Sequence, residues 1–194
     1  MPLVPLLTAD EFSTVDRPTL TAGVDAYGQV LNTWAAIGNS PGLFAAYLPF
    51  LKQVNGPGAL EVRVKELAAV RVAVLNHCRY TASHRCTSAL AKGVSLAELA
   101  AVAGGELDGF TERERIALVL AEEITLSVPL LSTDSSLTGV TPGLRDEAHR
   151  LFEPAELVEL VMSISVWNAL SRFHRVMLFD LDMPGAPEPV AALL

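Results

Sequence analysis

The sequence predicts an all-α protein of seven or eight helices. Apolar residues recur with a helical period along nearly the whole chain. We find no alternating apolar runs bounded by hairpin turn pairs, which are the signal of paired strands. Two segments, Ser95–Glu98 and Thr111–Glu114, have the spacing of a capping box. In that motif a hydroxyl side chain and a glutamate three residues later satisfy free amides at the start of a helix.

The first half of the chain divides into an arm and four helices. Prolines at positions 2, 5 and 18 predict an N-terminal arm over residues 1–20. The helices are predicted over residues 25–37, from 41 to the turn at 56–58, and over 61–75 and 78–91. Ser40 caps the second of these and Pro41 is its first residue. Asn76 ends the third, because asparagine tolerates the left-handed backbone conformation that ends helices.

The second half contains four further helical segments and a tail. The two capping boxes begin helices that end near Gly104 and Leu126, and residues 127–140, rich in Ser, Thr and Leu, are predicted to form a loop. Pro142 and Pro154 begin the last two helices, the second of which runs to about residue 178. The proline-rich tail, residues 182–194, is predicted to be loose or docked on a neighbour. Because no linker divides the chain, we expect one domain over residues 1–194.

Charge and hydropathy argue against several classes of function. The net charge is −8 and the isoelectric point about 4.9, so that no basic surface is available for nucleic acid. Arg71 and Glu159 interrupt the apolar runs, which predicts no membrane span. The N-terminus lacks the basic region of a signal peptide. We therefore expect a cytoplasmic protein. The 51% apolar content indicates a thick core or an oligomer that hides apolar faces.

The candidate site is the segment ELAAVRVAVLNHCRYTASHRC, which begins at Glu66. Cys78 is predicted to be the first residue of its helix, where free amides and the helix dipole favour a thiolate. Thr81 and Arg85 share its helical face by the three- and four-residue rule, and His84 is one step off that face. Arg85 adds positive charge beside the sulfur. Glu66 lies three turns back on the preceding helix, and the turn at Asn76 would bring it close.

Each of these residues also has a structural interpretation. Cys78 is in an apolar chain, where a lone cysteine often serves as a small buried hydrophobe, and Cys86 in mid-helix is best explained that way. Glu66 could be a solvated residue, and His84 a surface or core histidine. The two cysteines, if on one helix, are roughly 12 Å apart at 1.5 Å per residue, too far for a disulfide. Neither the His nor the Cys spacing fits a metal site, and we expect no metal and no cofactor.

The same segment resembles the carboxymuconolactone decarboxylase and alkylhydroperoxidase D-like family. The resemblance extends over about residues 25–180 and includes AKGVSLAELAAV and FTERERIALVLAEEIT. It implies an all-α helical bundle of the alkylhydroperoxidase D type and a homo-oligomer, a trimer or a hexamer. In the peroxidase branch the motif is a glutamate, then Cys-x-x-Cys about twelve residues later, then a histidine four residues after the second cysteine.

The resemblance carries over to this chain only in part. Glu66 and Cys78 match the glutamate and the first cysteine, whereas Thr81 replaces the second cysteine and Arg85 replaces the histidine. Turnover through an internal disulfide is therefore not available. The decarboxylase branch does not depend on the cysteine pair, and Arg85 could hold a substrate carboxylate there. The resemblance also implies a contribution of the late helix to the pocket, through Trp167, Asn168, Arg172 and His174.

Three functions follow from these residues. The first is a lyase, decarboxylase or isomerase acting on a small oxygenated acid or lactone. In it Arg85 binds the anion, Glu66 or His84 transfers a proton, and Cys78 assists. The second is a one-cysteine thiol peroxidase, in which Cys78 becomes a sulfenic acid that an external thiol resolves. The third is a small-molecule binding protein without catalysis.

Overall fold

The computed structural model describes residues 1–126 and 139–194, and every regular element within these ranges is a helix. A 3-10 helix, Ala9–Glu11, precedes the helices α1 (Arg17–Tyr27), α2 (Asn32–Ile37), α3 (Leu43–Asn55), α4 (Val62–Leu75), α5 (Arg79–Ala91), α6 (Leu96–Gly104), α7 (Glu112–Leu126), α8 (Pro142–Leu151), α9 (Pro154–Met177) and α10 (Glu188–Ala191). Eight of these α-helices have at least seven residues, which confirms the predicted all-α class and helix number. Most of the predicted loop over residues 127–140 lies outside the described residues.

Helix α4 is the centre of the bundle. It packs against α5, α7 and α9, and all its residues from 64 to 74 are buried. Three of these buried residues are charged. Two of them, Lys65 and Arg71, are hydrogen-bonded to backbone carbonyls within the fold. Lys65 donates to the Gly56 carbonyl at 2.9 Å and pairs with Glu159 at 2.7 Å. Arg71 donates to the Ala103 carbonyl at 2.9 Å, at the end of α6. The third charged residue is Glu66, which belongs to the candidate site.

The described residues form three apolar clusters, two of which include residues of α4. The first joins α4 to α7, α8 and α9, and the second joins α4 and α5 to α6 and the C-terminal Val190. The third is aromatic, since Phe12, Trp34 and Phe44 pack together between the arm and helices α1 to α3. None of the helices in the described ranges combines the length and the hydropathy that a membrane crossing requires.

The N-terminal region differs from the prediction. The expected helix over residues 25–37 is two helices, because Gly28 has a φ of 77° and ends α1. The expected arm over residues 1–20 already contains the start of α1 at Arg17, with Pro18 in its first turn. The arm is attached to the bundle through the backbone of Leu3, which donates to the Met177 carbonyl at 3.0 Å.

The start of α3 also differs, because the cap comes from a distant residue. The predicted cap was Ser40, but the helix begins at Leu43, after Gly42 in the left-handed conformation. The buried Asp16 carboxylate accepts the amides of Gly42 at 2.9 Å and Ala45 at 2.8 Å. Burial alone would raise the pKa of Asp16, but hydrogen bonds from Ser13 and these backbone amides outweigh burial and lower it.

Two further corrections concern the site. Cys78 is the N-cap of α5 and not its first helical residue, because His77 takes a positive φ of 49° and Cys78 is extended. The C-terminal tail is not loose. Its helix α10 packs on α5 and α6 of the same chain, and Val190 is fully buried.

Candidate functional site

Glu66 is a buried carboxylate that faces α5. Glu66 faces donors from Arg85 and Ser88 of α5 and from Lys92, the C-cap of α5. These three residues are spaced three and four apart, so they lie on one face of the helix. Ser88 Oγ donates to Oε1 at 2.9 Å, Lys92 Nζ contacts the same oxygen, and Arg85 Nη1 lies 3.5 Å from Oε2. Glu66 is 2% exposed, whereas Lys92 is 41% exposed in its side chain. The carboxylate is thus sheltered, and one of its two cations reaches solvent.

A cavity of about 310 Å³ opens beside this carboxylate; we call it the Glu66 cavity. Its lining combines charged and polar side chains with apolar and aromatic ones. The lining residues are Tyr27, Leu48, Leu51, Lys52, Asn55, Gly56, Pro57, Glu66, Arg85, Ser88, Lys92 and Trp167. Three cations and one carboxylate therefore line the cavity of a protein whose net charge is −8. This arrangement favours a small anionic ligand with an apolar part.

Arg85 lies between the Glu66 cavity and a second, smaller one. Both cavities are lined by Arg85 and Trp167, and the smaller, of about 50 Å³, also contains His84, Tyr80 and His174 in its wall. The guanidinium stacks on Trp167, with its carbon 4.1 Å from the ring centroid. Its Nε is buried and has no hydrogen-bond partner among the described residues. Arg85 is therefore held in place by stacking while part of its donor capacity is unused.

The surroundings of Cys78 are closed. Its sulfur is the acceptor for Thr81 Oγ1 at 3.1 Å and for the Thr81 amide at 3.5 Å. Cys78 is 1% exposed and Thr81 is fully buried, and neither lines the Glu66 cavity or the smaller one. Ser171 Oγ of α9 donates to Thr81 Oγ1 at 3.2 Å. We call this group, with His174, the Cys78 network.

His174 completes the Cys78 network from α9. Its Nδ1 lies 2.8 Å from Thr81 Oγ1 and its Nε2 lies 3.0 Å from Thr33 Oγ1. Burial lowers the pKa of His174 to about 3, and the nearby His84 contributes in the same direction. The imidazole is therefore neutral at physiological pH. It orders the hydroxyl groups around Thr81, and it does not supply positive charge to the Cys78 sulfur.

His84 is held by the C-terminal tail. Its Nε2 lies 2.6 Å from Asp182 Oδ1, and the Tyr80 hydroxyl donates to Asp182 Oδ2 at 2.5 Å. The Asn32 amide donates to the same Oδ2 at 2.7 Å. Burial alone would raise the pKa of Asp182, but the hydrogen bonds from these partners outweigh burial and lower it. Burial and Asp182 both raise the pKa of Tyr80.

The predicted residues of α9 occupy different places. Trp167 is in the walls of both cavities, and its Nε1 donates to Asn55 Oδ1 at 2.7 Å. Asn168 is turned into the core, where Nδ2 donates to Thr125 Oγ1 at 2.9 Å and Oδ1 accepts from Asn76 at 2.9 Å. Arg172 is exposed and lines neither cavity. The structure thus brings Glu66, Arg85 and Trp167 together, leaves His84 across Arg85, and separates Cys78, Thr81, Asn168 and Arg172 from the cavities.

Sequence reasoning did not find Ser88, Lys92, Tyr80 or Asp182. Ser88 and Lys92 follow Arg85 at three and seven residues, so that helical spacing alone could have placed them beside Glu66. No local signal identifies Asp182, which is 98 residues from His84 in the chain. Cys86 is buried as predicted, and burial raises its pKa to about 11. Within the described residues no group of His, Cys, Asp and Glu has the arrangement of a metal site.

The class of protein follows from this helical scaffold and from the segment that carries Glu66, Cys78 and Arg85. Residues 41–123 match the carboxymuconolactone decarboxylase family, which supports the resemblance that the sequence suggested. The matched segment extends from the turn before α3 into α7 and contains Glu66, Cys78, Thr81, His84 and Arg85. No curated protein matches the chain in sequence.

Solved structures share the fold over nearly the full length. A peroxidase-related protein from Ralstonia eutropha JMP134, with an alkylhydroperoxidase AhpD core, is 14% identical with a TM-score of 0.75, covering 97% of this chain and 94% of its own. A peroxidase-related protein from Silicibacter sp. TM1040 is 14% identical with a TM-score of 0.76, covering 100% and 96%. A cysteine-to-alanine variant of the debrominase Bmp8, in complex with 2,3,4-tribromopyrrole, is 18% identical with a TM-score of 0.72, covering 100% and 96%. At these identities the likeness establishes the fold.

Proposed function

We propose that this protein is a lyase, decarboxylase or isomerase that acts on a small oxygenated acid or lactone bound in the Glu66 cavity. The observation that carries the proposal is the position of Glu66. It is a buried carboxylate in the wall of a 310 Å³ cavity, flanked by the cations of Arg85 and Lys92. A small cavity with an apolar side and a few convergent polar groups is the usual form of a metabolite site.

The roles of the residues follow from their contacts. Arg85 has an unpaired Nε and a long 3.5 Å contact to Glu66, so it can bind a substrate carboxylate without first losing a strong ion pair. Lys92, half in solvent, can bind a second anionic oxygen. Trp167 and Leu48 offer an apolar surface to the carbon skeleton. Glu66, which lines the cavity beside Arg85, is the proton-transfer group, and His84, in the wall of the smaller cavity, is a second one.

The chemistry needs one proton-transfer group and one anion site. In a decarboxylation the C–CO₂⁻ bond breaks, carbon dioxide leaves, and the electron pair passes into a conjugated carbonyl of the substrate to form an enolate. Arg85 and Lys92 stabilise the charge of that oxygen, and the Glu66 carboxylate relays a proton from solvent water to carbon. In an isomerisation Glu66 removes a proton from one carbon and returns it to another. Neither reaction uses a thiol.

Incubation with a panel of small lactone and unsaturated carboxylates tests the proposal. Substrate loss and product formation are followed by proton NMR. With a turned-over compound, Glu66→Gln should lose about a hundredfold or more in kcat, because general acid–base catalysis typically contributes that much. Cys78→Ser, which alters a sulfur outside the cavity, should remain within about threefold of the wild type. An active Glu66→Gln enzyme contradicts the proposal, and so does binding without turnover across the panel, which would favour the non-catalytic alternative.

The second candidate is a one-cysteine thiol peroxidase, favoured by the two hydrogen bonds that the Cys78 sulfur accepts from Thr81. The thiolate would attack the terminal oxygen of a hydroperoxide, the O–O bond would break, and an alcohol and Cys78 sulfenic acid would form. Two equivalents of an external thiol would then return the thiolate and release water and a disulfide. In this case the variants behave oppositely: Cys78→Ser is inactive with peroxide and Glu66→Gln loses less.

We also propose that the protein forms a homo-oligomer, a trimer or a hexamer. The outer face of α9 supports this, since Val158, Val161 and Met162 are exposed at neighbouring turns. Multi-angle light scattering at micromolar concentration measures the mass directly. A mass of 20.7 kDa, that of one chain, would contradict the proposal.

A further inference from the structure

Asp182 belongs to the C-terminal tail, yet its side chain is only 10% exposed and its carboxylate packs against α5 and the start of α2. Both of its oxygens are occupied: Oδ1 by His84 Nε2, and Oδ2 by the Tyr80 hydroxyl and the Asn32 amide. The backbone on either side is held too. Gln29 donates to the Asp182 carbonyl at 2.8 Å, and Ser83 donates to the Pro184 carbonyl at 2.8 Å. The carboxylate is therefore fixed in position and orientation.

The contact with Asp182 determines which nitrogen of His84 carries the proton. An ionised carboxylate only accepts hydrogen bonds, so the hydrogen of a neutral imidazole must be on Nε2. The other nitrogen, Nδ1, is then an acceptor. Among residues 1–126 and 139–194, Nδ1 has no hydrogen-bond partner, and the ring lines the smaller cavity beside Arg85.

We propose that Asp182 is a positioning residue for His84. It holds the imidazole in the Nε2–H tautomer, so that Nδ1 is the proton-accepting atom available to a substrate beside Arg85. This inference deepens the proposed function and rests on it for the role of His84, whereas the tautomer itself is a property of the free protein. The C-terminal tail thereby becomes part of the site, although it lies outside the segment that matches the family.

The substitution Asp182→Asn gives a sharp test, because the geometry decides how the new amide must point. The Asn32 amide hydrogen cannot move, and it requires an acceptor at the former Oδ2 position. The amide oxygen therefore takes that place, and the NH₂ group faces His84. Since NH₂ donates, it forces Nε2 to become the acceptor and moves the ring hydrogen to Nδ1. The substitution is expected to invert the tautomer while it leaves the size of the side chain unchanged.

Long-range ¹H–¹⁵N correlation spectra of uniformly labelled protein report the tautomer without any substrate. They are recorded over a pH series up to about pH 9, well above the ordinary histidine pKa of roughly 6.5, and His84→Gln assigns the signals. The wild type should show a protonated Nε2, Asp182→Asn a protonated Nδ1, and Asp182→Glu should restore the wild-type pattern. Asp180→Asn, a change at an exposed aspartate of the same tail, is the matched control and should not alter the spectrum.

Two results would overturn the inference. One is a wild-type His84 with its hydrogen on Nδ1, which needs no variant and so holds even where Asp182→Asn does not fold. The other is a folded Asp182→Asn protein with an unchanged tautomer. Once a substrate is known, Asp182→Asn should lower kcat about tenfold or more with KM within about threefold, and Asp180→Asn should match the wild type. A normal tautomer inversion with an active Glu66→Gln enzyme would contradict the proposed function and leave the positioning role intact.

Discussion

Glu66 and Cys78 are twelve residues apart and belong to the same sequence motif, but one lines a cavity and the other is buried in the core. Glu66 lines a cavity of about 310 Å³ and has two cations beside it, one of which reaches solvent. Cys78 is 1% exposed and accepts from the Thr81 hydroxyl, which in turn is hydrogen-bonded to Ser171 and His174. Sequence spacing therefore determines where these residues lie along their helices, whereas residues of distant helices determine which of them can contact a ligand.

The difference also explains why Thr81 and Arg85 can stand where the peroxidase branch has a cysteine and a histidine. Thr81 turns the interior of the motif into a hydrogen-bonded core, because its hydroxyl can donate to sulfur and accept from His174 and Ser171. Arg85 brings a cation to the wall of the Glu66 cavity, because it stacks on Trp167 beside the carboxylate of Glu66. Under the proposed function, both replacements go with a chemistry that takes place in the cavity and not at the sulfur.

After Glu66→Gln, the largest effect is expected at Arg85. Arg85→Ala removes a charge-assisted grip worth about 1.5–3 kcal/mol, which corresponds to a loss of roughly tenfold to a hundredfold in substrate affinity or kcat/KM. Arg85→Lys should recover only part of it, since lysine keeps the charge but not the planar stacking group. Steady-state kinetics or calorimetry with the first identified ligand measures this.

Arg172→Ala is the matched control for Arg85→Ala, because it removes an arginine that is exposed on α9. It should behave like the wild type. Equal losses of affinity or kcat/KM in the two variants would show a general electrostatic effect. An unaffected Arg85→Ala enzyme would contradict the role of Arg85 in anion binding.

The Cys78 network should respond to acid. His174 has a pKa of about 3 in the folded protein against its ordinary value of 6.5, so between these values the unfolded state binds one proton more. Folding stability from this residue is therefore complete above about pH 6.5 and falls by about 1.4 kcal/mol for each pH unit below it. Urea titrations at pH 7.5, 6 and 5 give the slope.

His174→Gln should be less stable than the wild type at pH 7.5, because it loses one of the two imidazole contacts, but its stability should decline less steeply with acid. His149→Gln, at an exposed histidine of α8, should keep the wild-type slope. If the stability of His174→Gln falls with acid as steeply as that of the wild type, His174 takes up its proton in the folded protein. That result would contradict the enclosure of His174 in the Cys78 network.

The sequence predicted the helical scaffold well for a physical reason. Capping boxes at Ser95 and Thr111 and proline starts at Pro142 and Pro154 are local signals, and the structure begins α6, α7, α8 and α9 within a residue of them. Two helix boundaries were not predicted. The start of α3 depends on a distant residue, Asp16, and the break between α1 and α2 depends on the positive φ of Gly28.

The candidate site could likewise be predicted only where local signals indicate it. Glu66, Arg85 and Trp167 could be placed together because helical spacing and the family resemblance indicated their faces. The enclosure of Cys78 and the attachment of His84 to Asp182 depend on residues 96 and 98 positions away, His174 and Asp182, which no local pattern connects to α5. Asn168 and Arg172 fitted a pattern on α9, but the rotation of that helix turns one into the core and the other to solvent.

The two cysteines should differ in reactivity by an amount that depends on pH. Burial raises the pKa of Cys86 to about 11, so its alkylation rate should increase tenfold for each pH unit up to that value. Cys78 accepts two hydrogen bonds at the start of α5 and should react faster than Cys86 at pH 8. Iodoacetamide rates on Cys78→Ser and Cys86→Ser proteins measure each thiol alone. A native Cys78 that reacts as fast as in the denatured chain would show that its surroundings are open, and the contrast with Glu66 would fail.

The smallest expected effect is that of peroxide on the pairing of the cysteines. Cys78 caps α5 and Cys86 lies within it, so at 1.5 Å per residue their Cα atoms are roughly 12 Å apart, beyond the separation of about 7 Å that a disulfide tolerates. Intact-mass spectrometry after hydrogen peroxide should therefore show no loss of two hydrogens within one chain. Any oxidised form should carry added oxygen, and Cys78→Ser should lose that addition if Cys78 is the more reactive thiol. An intramolecular Cys78–Cys86 disulfide requires the first two turns of α5 to unwind, and its formation would mean that the Cys78 network opens as readily as the Glu66 cavity.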